Sequence, residues 1–463
     1  MATTTNTVVV DIVDVRRHDG PGISLPNDLP LEAVIDVLQR KLAEDNQWVD
    51  LAAPVQASPL DGAHALVLAM NEKFGISVQK TVWGSRQSIK VDTDAHGGTL
   101  NVPWGQFDVP GIEGTLESGL ARDDDGRFIF QVSGHVLGKY RRAFDELVEL
   151  VKRIVLEHSL YKGKALDLRL TDASGNPERM AKIKFLNTDH AVAPIYNAAL
   201  ADQYQYEVLA YIDQYAMVKR LKGSVKRGIL FAGQYGVGKT MAALDIAAHC
   251  ENAATPFTFV YTKPSDLPAA IDFIRPYLPG LVFVEDMESV AGGERTEDVN
   301  RLLNKLDGVD TKGGDLIVVA TTNNLEMVTP AMRRPGRIDT VLIVEPPDAD
   351  AAVRVAKMYS KGRMGEDDYT EAGRLLAGLI PPVIQEAVAR ASIRASLRTG
   401  VELAPITCED LVQAARVAQS EREAFEHKPD PHPMTLMGDA LGTGIGKGLG
   451  AHLADLVTTN GHS

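Results

Sequence analysis

The octapeptide GQYGVGKT at Gly233–Thr240 restricts the fold of this chain more than any other stretch of it. An apolar run of strand length, Gly228–Ala232, precedes it, and the helix-like run MAALDIAAHC follows it. The pattern G-x-x-x-x-G-K-[ST] between a strand and a helix is typical of a phosphate-binding loop, because the glycines let successive backbone N–H groups turn toward one anion. The positive end of the helix dipole adds to that attraction. The sequence therefore predicts an α/β domain whose loop holds a nucleoside triphosphate.

The chemistry of the loop assigns a task to its last residues. Lys239 is expected to place its ammonium on the β- and γ-phosphates, and Thr240 to place its hydroxyl on Mg²⁺. The residues predicted to contact the nucleotide are Gly233, Gln234, Tyr235, Gly236, Val237, Gly238, Lys239, Thr240 and Met241.

Three later stretches carry polar residues suited to hydrolysis. Glu285 and Asp286 end the apolar run GLVFV, and we expect one carboxylate to hold the Mg²⁺ shell and the other to polarise water. Asn323 ends the apolar stretch LIVVATT and is expected beside the γ-phosphate, at the carboxyl edge of a parallel sheet. Arg334 and Arg337 follow in PAMRRPGRID. An arginine that reaches a neighbouring subunit's γ-phosphate stabilises the transition state, by about 10³–10⁵ in rate.

The chain has 463 residues, which is too many for one ordinary core. From about residue 186, apolar runs alternate with helical segments, the pattern of a parallel sheet sandwiched by helices. The earlier part mixes strand signals such as Thr7–Val15 with helices, one of them carrying an apolar stripe from Phe144 to Val155. The polar segment Leu170–Lys182 is predicted to be a linker or an exposed hairpin. The predicted division is an N-terminal α+β domain (1–165), a linker (166–200), a large α/β domain (201–349), a helical lid domain (350–426) and a Pro/Gly-rich tail (427–463).

Residues from about 200 to 425 resemble the AAA family of ring-forming P-loop ATPases, in the AAA+ superfamily. The matching pieces are KRGILFAGQYGVGKT, LVFVED, VNRLLNKLDGV, VVATTNN and PAMRRPGRID. The resemblance implies a homo-hexameric ring that binds ATP at subunit interfaces, with Asn323 as sensor 1 and Arg334 and Arg337 as arginine fingers acting in trans. It also implies that Glu285 binds Mg²⁺ through water and that Asp286 activates the attacking water.

The chain departs from the family pattern at three places. The family ends the carboxylate strand Asp-Glu, whereas the order here is Glu285-Asp286, and Asp is one methylene shorter than Glu. Leu379–Pro382 replaces the family's Gly-Ala-Asp before the lid helix, which is expected from Pro381. The interval Tyr261–Gly280 lacks the aromatic–apolar–Gly triplet of protein-threading members, and its Phe273 and Tyr277 are predicted to be core residues. We therefore expect remodelling or disassembly of a protein partner, selected by the N-terminal domain, rather than processive unfolding.

Composition limits the alternatives. Two alternatives to a remodelling ATPase are a nucleic-acid motor or loader and a slow, nucleotide-stabilised structural ring. The net charge of −14 argues against the first, because binding to nucleic acid depends on Lys and Arg side chains that neutralise phosphates. Two cysteines form no disulfide framework, and no run of about 18 uncharged apolar residues predicts a membrane span. The first residues lack a basic end followed by an apolar run, so a cytoplasmic location is expected.

Overall fold

The computed structural model describes residues 30–75, 88–109, 111–124, 126–171, 177–222, 225–287, 314–324 and 338–426. These residues form two compact units. The first contains the described residues up to Pro194 together with Ala199–Val344, and the second contains Ile195–Ala198 together with the described residues from Glu345 onward. The predicted strand at Thr7–Val15 and the tail lie outside the described residues.

The first unit begins with an α+β part, as the sequence predicts. Its elements are the helices α1 (Leu31–Asp45), α2 (Pro59–Phe74) and α3 (Arg141–Glu157) and the strands β1 (Trp48–Val55), β2 (Ser88–Asp92), β3 (Thr99–Pro103), β4 (Gly105–Phe107), β5 (Gly114–Arg122) and β6 (Phe128–Leu137). An antiparallel sheet has the order β1-β6-β5-β4, and β2 pairs with β3 separately. The predicted apolar stripe of α3 is buried from Phe144 to Val155 in the core that α3 shares with α2 and β6.

A seven-stranded sheet follows, in the order β13-β9-β12-β11-β10-β7-β8. Its strands are β7 (Ala165–Thr171), β8 (Pro177–Phe185), β9 (Arg227–Ala232), β10 (Thr258–Thr262), β11 (Gly280–Val284), β12 (Leu316–Thr322) and β13 (Thr340–Ile343). All neighbours pair in parallel except β7 and β8. This confirms the predicted parallel sheet. Most of β7 and all of β8 fall in the segment 166–200 assigned to a linker. For Leu170–Lys182, where a linker or an exposed hairpin is predicted, the antiparallel pair β7–β8 favours the hairpin. A polar edge strand resembles a linker in composition.

Helices cover this sheet. They are α4 (Ala198–Tyr204), a π-helical turn (Gln205–Leu209), α5 (Ala210–Asp213), α6 (Tyr215–Lys222), α7 (Lys239–Asn252) and α8 (Leu267–Ile274). On one face of the sheet, Val260 and Val282 pack with Leu267 and Ile271 of α8. Because side chains alternate along a strand, Phe259 and Phe283 belong to the opposite face.

The α+β part and the parallel sheet share a core through Tyr277. This side chain, in the 3₁₀ turn Arg275–Tyr277 after α8, is 1% exposed and packs with residues of α2 and α3. Its ring lies 6.0 Å from that of Tyr161, edge to face, and 5.4 Å from that of Phe273. The prediction that Phe273 and Tyr277 are core residues is thus correct for Tyr277, which is fully buried, whereas Phe273 is partly buried against the same core.

A buried carboxylate lies at this junction. Asp61 of α2 accepts hydrogen bonds from the Leu160 N–H at 2.7 Å and the Ser159 hydroxyl at 2.8 Å, and it also hydrogen-bonds the Tyr277 hydroxyl. The Tyr277 hydroxyl in turn accepts the Ser58 N–H at 2.9 Å. Burial outweighs these bonds and raises the pKa of Asp61 from 3.8 to about 6.

This shift predicts a pH-dependent cost to stability. The folded state favours protonated Asp61. The contribution of this proton to the free energy of unfolding is therefore fully present below pH 3.8 and is lost as the pH rises through about 6. At 1.36 kcal/mol per pKa unit, the loss amounts to about 3 kcal/mol. Asp61→Asn keeps an acceptor for Leu160 and places an amide donor near the two hydroxyls. We therefore expect its free energy of unfolding, measured with urea, to rise relative to wild type by about 3 kcal/mol over this pH range.

The matched control is Asp124→Asn, which makes the same change at an exposed position. Its free energy of unfolding should stay parallel to that of wild type at every pH. A parallel profile for Asp61→Asn as well would contradict the assignment of this titration to Asp61.

The second unit is helical, as predicted for the lid. Its helices are α9 (Ala349–Tyr359), α10 (Thr370–Leu376), α11 (Pro381–Thr399) and α12 (Cys408–Glu426). Asp348 caps α9 by accepting the Ala351 N–H at 2.8 Å. The lid helix begins at Pro381, as predicted, because proline suits the first turn of a helix. Among the described residues of both units, none of the helices is long and apolar enough to cross a membrane.

Candidate functional site

The loop Gly233–Gly238 joins β9 to α7 at the carboxyl edge of the parallel strands. Gly236 and Gly238 have φ of 79° and 102°, a left-handed conformation that glycine adopts without steric cost. Gly233 has no room for a side chain, since a Cβ there would lie 2.2 Å from the Val344 carbonyl oxygen. The Gly233 N–H donates to the Thr322 carbonyl at 3.1 Å. The loop is therefore anchored against the ends of β12 and β13 while its turn is formed by glycines.

Lys239 folds back into this loop. Its side chain is 6% exposed, and the ammonium donates to the Gly233 carbonyl at 2.7 Å, the Gln234 carbonyl at 2.8 Å and Asn323 Oδ1 at 2.7 Å. These three oxygens carry no formal charge, so a phosphate at the loop would offer the ammonium a stronger partner. Tyr235, with its ring centroid 6.0 Å from the ammonium, is 69% exposed, and Thr240 is also exposed.

A hydrogen-bonded chain extends from the loop to the carboxylate strand. Asn323, directly after β12, accepts from Lys239 and donates its Nδ2 to Asp286 Oδ1 at 2.9 Å. Asp286 follows β11 in the left-handed region, at φ 54°, which aspartate tolerates better than most residues. Its N–H donates to Thr321 Oγ1 at 3.0 Å. The exposed Asp286 carboxylate is thus held next to Asn323. The residues of this chain of hydrogen bonds follow three strands, β9, β12 and β11.

Glu285 has a partner that the sequence analysis missed. Its Oε2 accepts a hydrogen bond from the hydroxyl of Tyr261 on β10. Burial, and then this bond, raises the pKa of Tyr261 well above its usual value. The strand register is the signal that points to this pair, since Tyr261 is opposite Phe283, two residues before Glu285. That register is not available from the sequence alone.

Of the predicted site residues, hydrogen bonds join Gly233, Gln234, Lys239, Asn323 and Asp286. Glu285 is next to Asp286 in the chain and bonds Tyr261. Arg334 and Arg337 lie outside the described residues. In the described part of the chain, no group of three or more His, Cys, Asp and Glu side chains could by itself hold a metal ion. The donors present, the Thr240 hydroxyl and the Glu285 carboxylate, are the hard oxygen ligands that suit Mg²⁺ when phosphates and water complete its shell. The residues therefore fit a magnesium–nucleotide complex.

Comparison with known proteins finds relatives of part of this chain. Residues 229–346 match the family model described as ATPase family associated with various cellular activities (AAA). The chain is 31% identical over 196 residues to the ATP-dependent zinc metalloprotease FtsH of Helicobacter felis, a match covering 37% of this chain and 30% of that protein. It is 27% identical to the probable inactive ATP-dependent zinc metalloprotease FTSHI 2, chloroplastic, of Arabidopsis thaliana, over 48% of this chain and 27% of that protein.

Among solved structures, the FIGL-1 AAA domain in complex with ADP is 20% identical, with a TM-score of 0.39, over 52% of this chain and 90% of that one. The chain spans about a third or less of the length of the two metalloprotease relatives, the Helicobacter felis and Arabidopsis thaliana proteins.

Proposed function

Because residues 229–346 of this chain belong to the AAA family of ATPases, we propose that it binds ATP with Mg²⁺ at interfaces between its own copies and hydrolyses it. The observation that carries the proposal is the hydrogen-bonded chain Lys239–Asn323–Asp286. It joins the group suited to bind the γ-phosphate to a carboxylate suited to activate water. These are the two requirements of an in-line attack on that phosphate.

In this proposal each residue has one task. Loop N–H groups and the Lys239 ammonium bind the phosphates. Thr240 and, through water, Glu285 would hold Mg²⁺, which would supply positive charge to the phosphate oxygens. Asp286 accepts the proton of the attacking water. Asn323 keeps the Asp286 carboxylate oriented through its amide. Arg334 and Arg337 would complete the site of the next subunit.

We further propose that hydrolysis remodels or disassembles a protein partner selected by the N-terminal α+β part. The shared core around Tyr277 supports this, since the turn that carries Tyr277 precedes β11, and Glu285 is the first residue after β11. A rearrangement at the carboxylate strand would therefore act on a segment packed against α2 and α3. This link supplies a physical route from the nucleotide to a partner-binding domain.

The interfacial arrangement predicts rescue between two inactive variants. Lys239→Ala damages the phosphate loop of its own subunit, whereas Arg337→Ala damages the site of a neighbour. In a mixture of the two, some interfaces combine an intact loop with an intact arginine. We expect hydrolysis to recover to about a quarter of the wild-type rate in a random equimolar assembly, as measured by phosphate release.

The negative control is a mixture of Lys239→Ala with Asp286→Asn. These two residues belong to the same half of the site, so every interface in that mixture keeps one damaged group and should stay inactive. Arg334→Ala is tested in the same way. If neither arginine variant is rescued by Lys239→Ala, the arginines do not act across a subunit interface.

A further inference from the structure

Tyr261 occupies a defined place beside the carboxylate strand. β10 and β11 are parallel neighbours in which Tyr261 is opposite Phe283, and their rings stack with centroids 6.1 Å apart and an interplanar angle of 12°. Because side chains alternate along a strand, Glu285 lies on the same face as Phe283. The phenol therefore lies along the face of the sheet on which Glu285 emerges, and its hydroxyl donates to Glu285 Oε2.

The Tyr261 ring is also supported from its other side. The Arg169 guanidinium of β7 lies 5.8 Å from the ring centroid, and its Nε is 3.0 Å from Asp167 Oδ1. Asp167 is the residue of β7 that lies opposite Tyr261. Tyr261 is thus held between Phe283 on one side and the Arg169–Asp167 pair on the other. A ring fixed in this way presents its hydroxyl in one direction.

The chemistry of the contact suits a metal-binding carboxylate. A neutral phenol fixes one carboxylate oxygen and leaves the negative charge of the carboxylate in place, whereas a Lys or Arg partner would neutralise that charge. The phenol also leaves Oε1 for other ligands. Glu285 also has one more rotatable bond than an aspartate at the same position, so its carboxylate loses more freedom when it is fixed.

We propose that Tyr261 is a positioning residue that fixes the Glu285 carboxylate for Mg²⁺ bound with ATP. The inference rests on the proposed function and extends it, since it explains how the longer Glu285 serves at this place in the Glu-Asp order. Fixing the carboxylate beforehand reduces the entropy lost when the metal–nucleotide complex binds.

The test is Tyr261→Phe, which removes only the hydroxyl. Equilibrium binding of ATP is measured with excess Mg²⁺ and with EDTA, together with the Mg²⁺ concentration that gives half-maximal hydrolysis. A charge-assisted hydrogen bond predicts that ATP affinity falls about tenfold with Mg²⁺ and less than about twofold in EDTA, and that half-maximal Mg²⁺ rises about tenfold.

The matched control is Tyr215→Phe, which removes a hydroxyl that donates to Asp315 at 2.7 Å. Asp315 directly precedes β12, so this hydrogen bond lies at the opposite edge of the sheet from Glu285. The control variant should leave both Mg²⁺ measurements at wild-type values. Affinity in EDTA also verifies that each variant is folded. If Tyr261→Phe matches Tyr215→Phe while wild type hydrolyses ATP, the inference is overturned. If wild type itself binds no ATP, the proposed function fails first.

A double-mutant cycle gives a second, independent readout. Glu285→Asp shortens the side chain by one methylene and withdraws the carboxylate from the hydroxyl. In that background, Tyr261→Phe should change Mg²⁺-dependent ATP affinity by less than about twofold, compared with about tenfold in wild type. Equal effects in the two backgrounds would show that the hydroxyl does not act through Glu285.

Discussion

Lys239→Ala is expected to lower ATP affinity by about 100-fold or more and to remove measurable hydrolysis. The ammonium is buried among three oxygens of the loop and of Asn323, which places it where the phosphates would bind. Two charge-assisted hydrogen bonds to phosphate, each worth about 1.5–3 kcal/mol, account for a loss of this size. Isothermal titration with ATP and Mg²⁺, followed by a phosphate-release assay, measures both effects.

The control for this change is Lys357→Ala, which removes an exposed lysine of α9. It should bind and hydrolyse ATP as wild type does. The Lys239→Ala variant should remain folded, because the ammonium that it lacks bonds neutral oxygens of the loop and of Asn323 and is not part of an apolar core. ATP affinity within about threefold of wild type for a folded Lys239→Ala would refute the assignment of the loop as the nucleotide site.

Asp286→Asn should separate binding from hydrolysis. Loss of a general base costs about 10²–10⁴ in turnover, whereas the loop that binds the phosphates is untouched. The amide of asparagine still offers an acceptor to Asn323 Nδ2, and asparagine, like aspartate, tolerates the φ of 54° observed here. We therefore expect a folded variant that binds ATP within about twofold of wild type and turns it over at least about 100-fold more slowly.

The same measurement distinguishes a motor from a structural ring. If wild type and Asp286→Asn turn over ATP at equal, slow rates and both assemble only with nucleotide, the nucleotide serves to hold the assembly together. Asp124→Asn, the same change at an exposed turn, should behave as wild type in both assays. If Asp286→Asn differs from wild type only in assembly, Asp286 is not the group that activates water.

Several features of the site could be predicted from the sequence because their signals are local. The phosphate loop needs glycines at fixed spacing between a strand and a helix, and all of these lie within about 25 residues. Asp286 and Asn323 were predicted because each ends a buried strand of a parallel sheet, and such ends meet at one edge. The stripe from Phe144 to Val155 follows from the period of a helix alone.

Other features depend on which strands become neighbours. Tyr261 and Glu285 are 24 residues apart and meet only because β10 pairs with β11 in one particular register. The hairpin β7–β8 extends the sheet although its polar composition predicts a linker, since an edge strand exposes much of its surface.

By itself, the sequence determined the glycine-rich loop between a strand and a helix, the parallel sheet and the helical second unit, since turn chemistry and hydrophobic period act over a few residues. Only the tertiary structure decided that Asp61 shares a buried network with Tyr277, more than two hundred residues away, and that Tyr261 holds Glu285. These contacts depend on the packing of distant elements. Neither a motif nor a period specifies that packing.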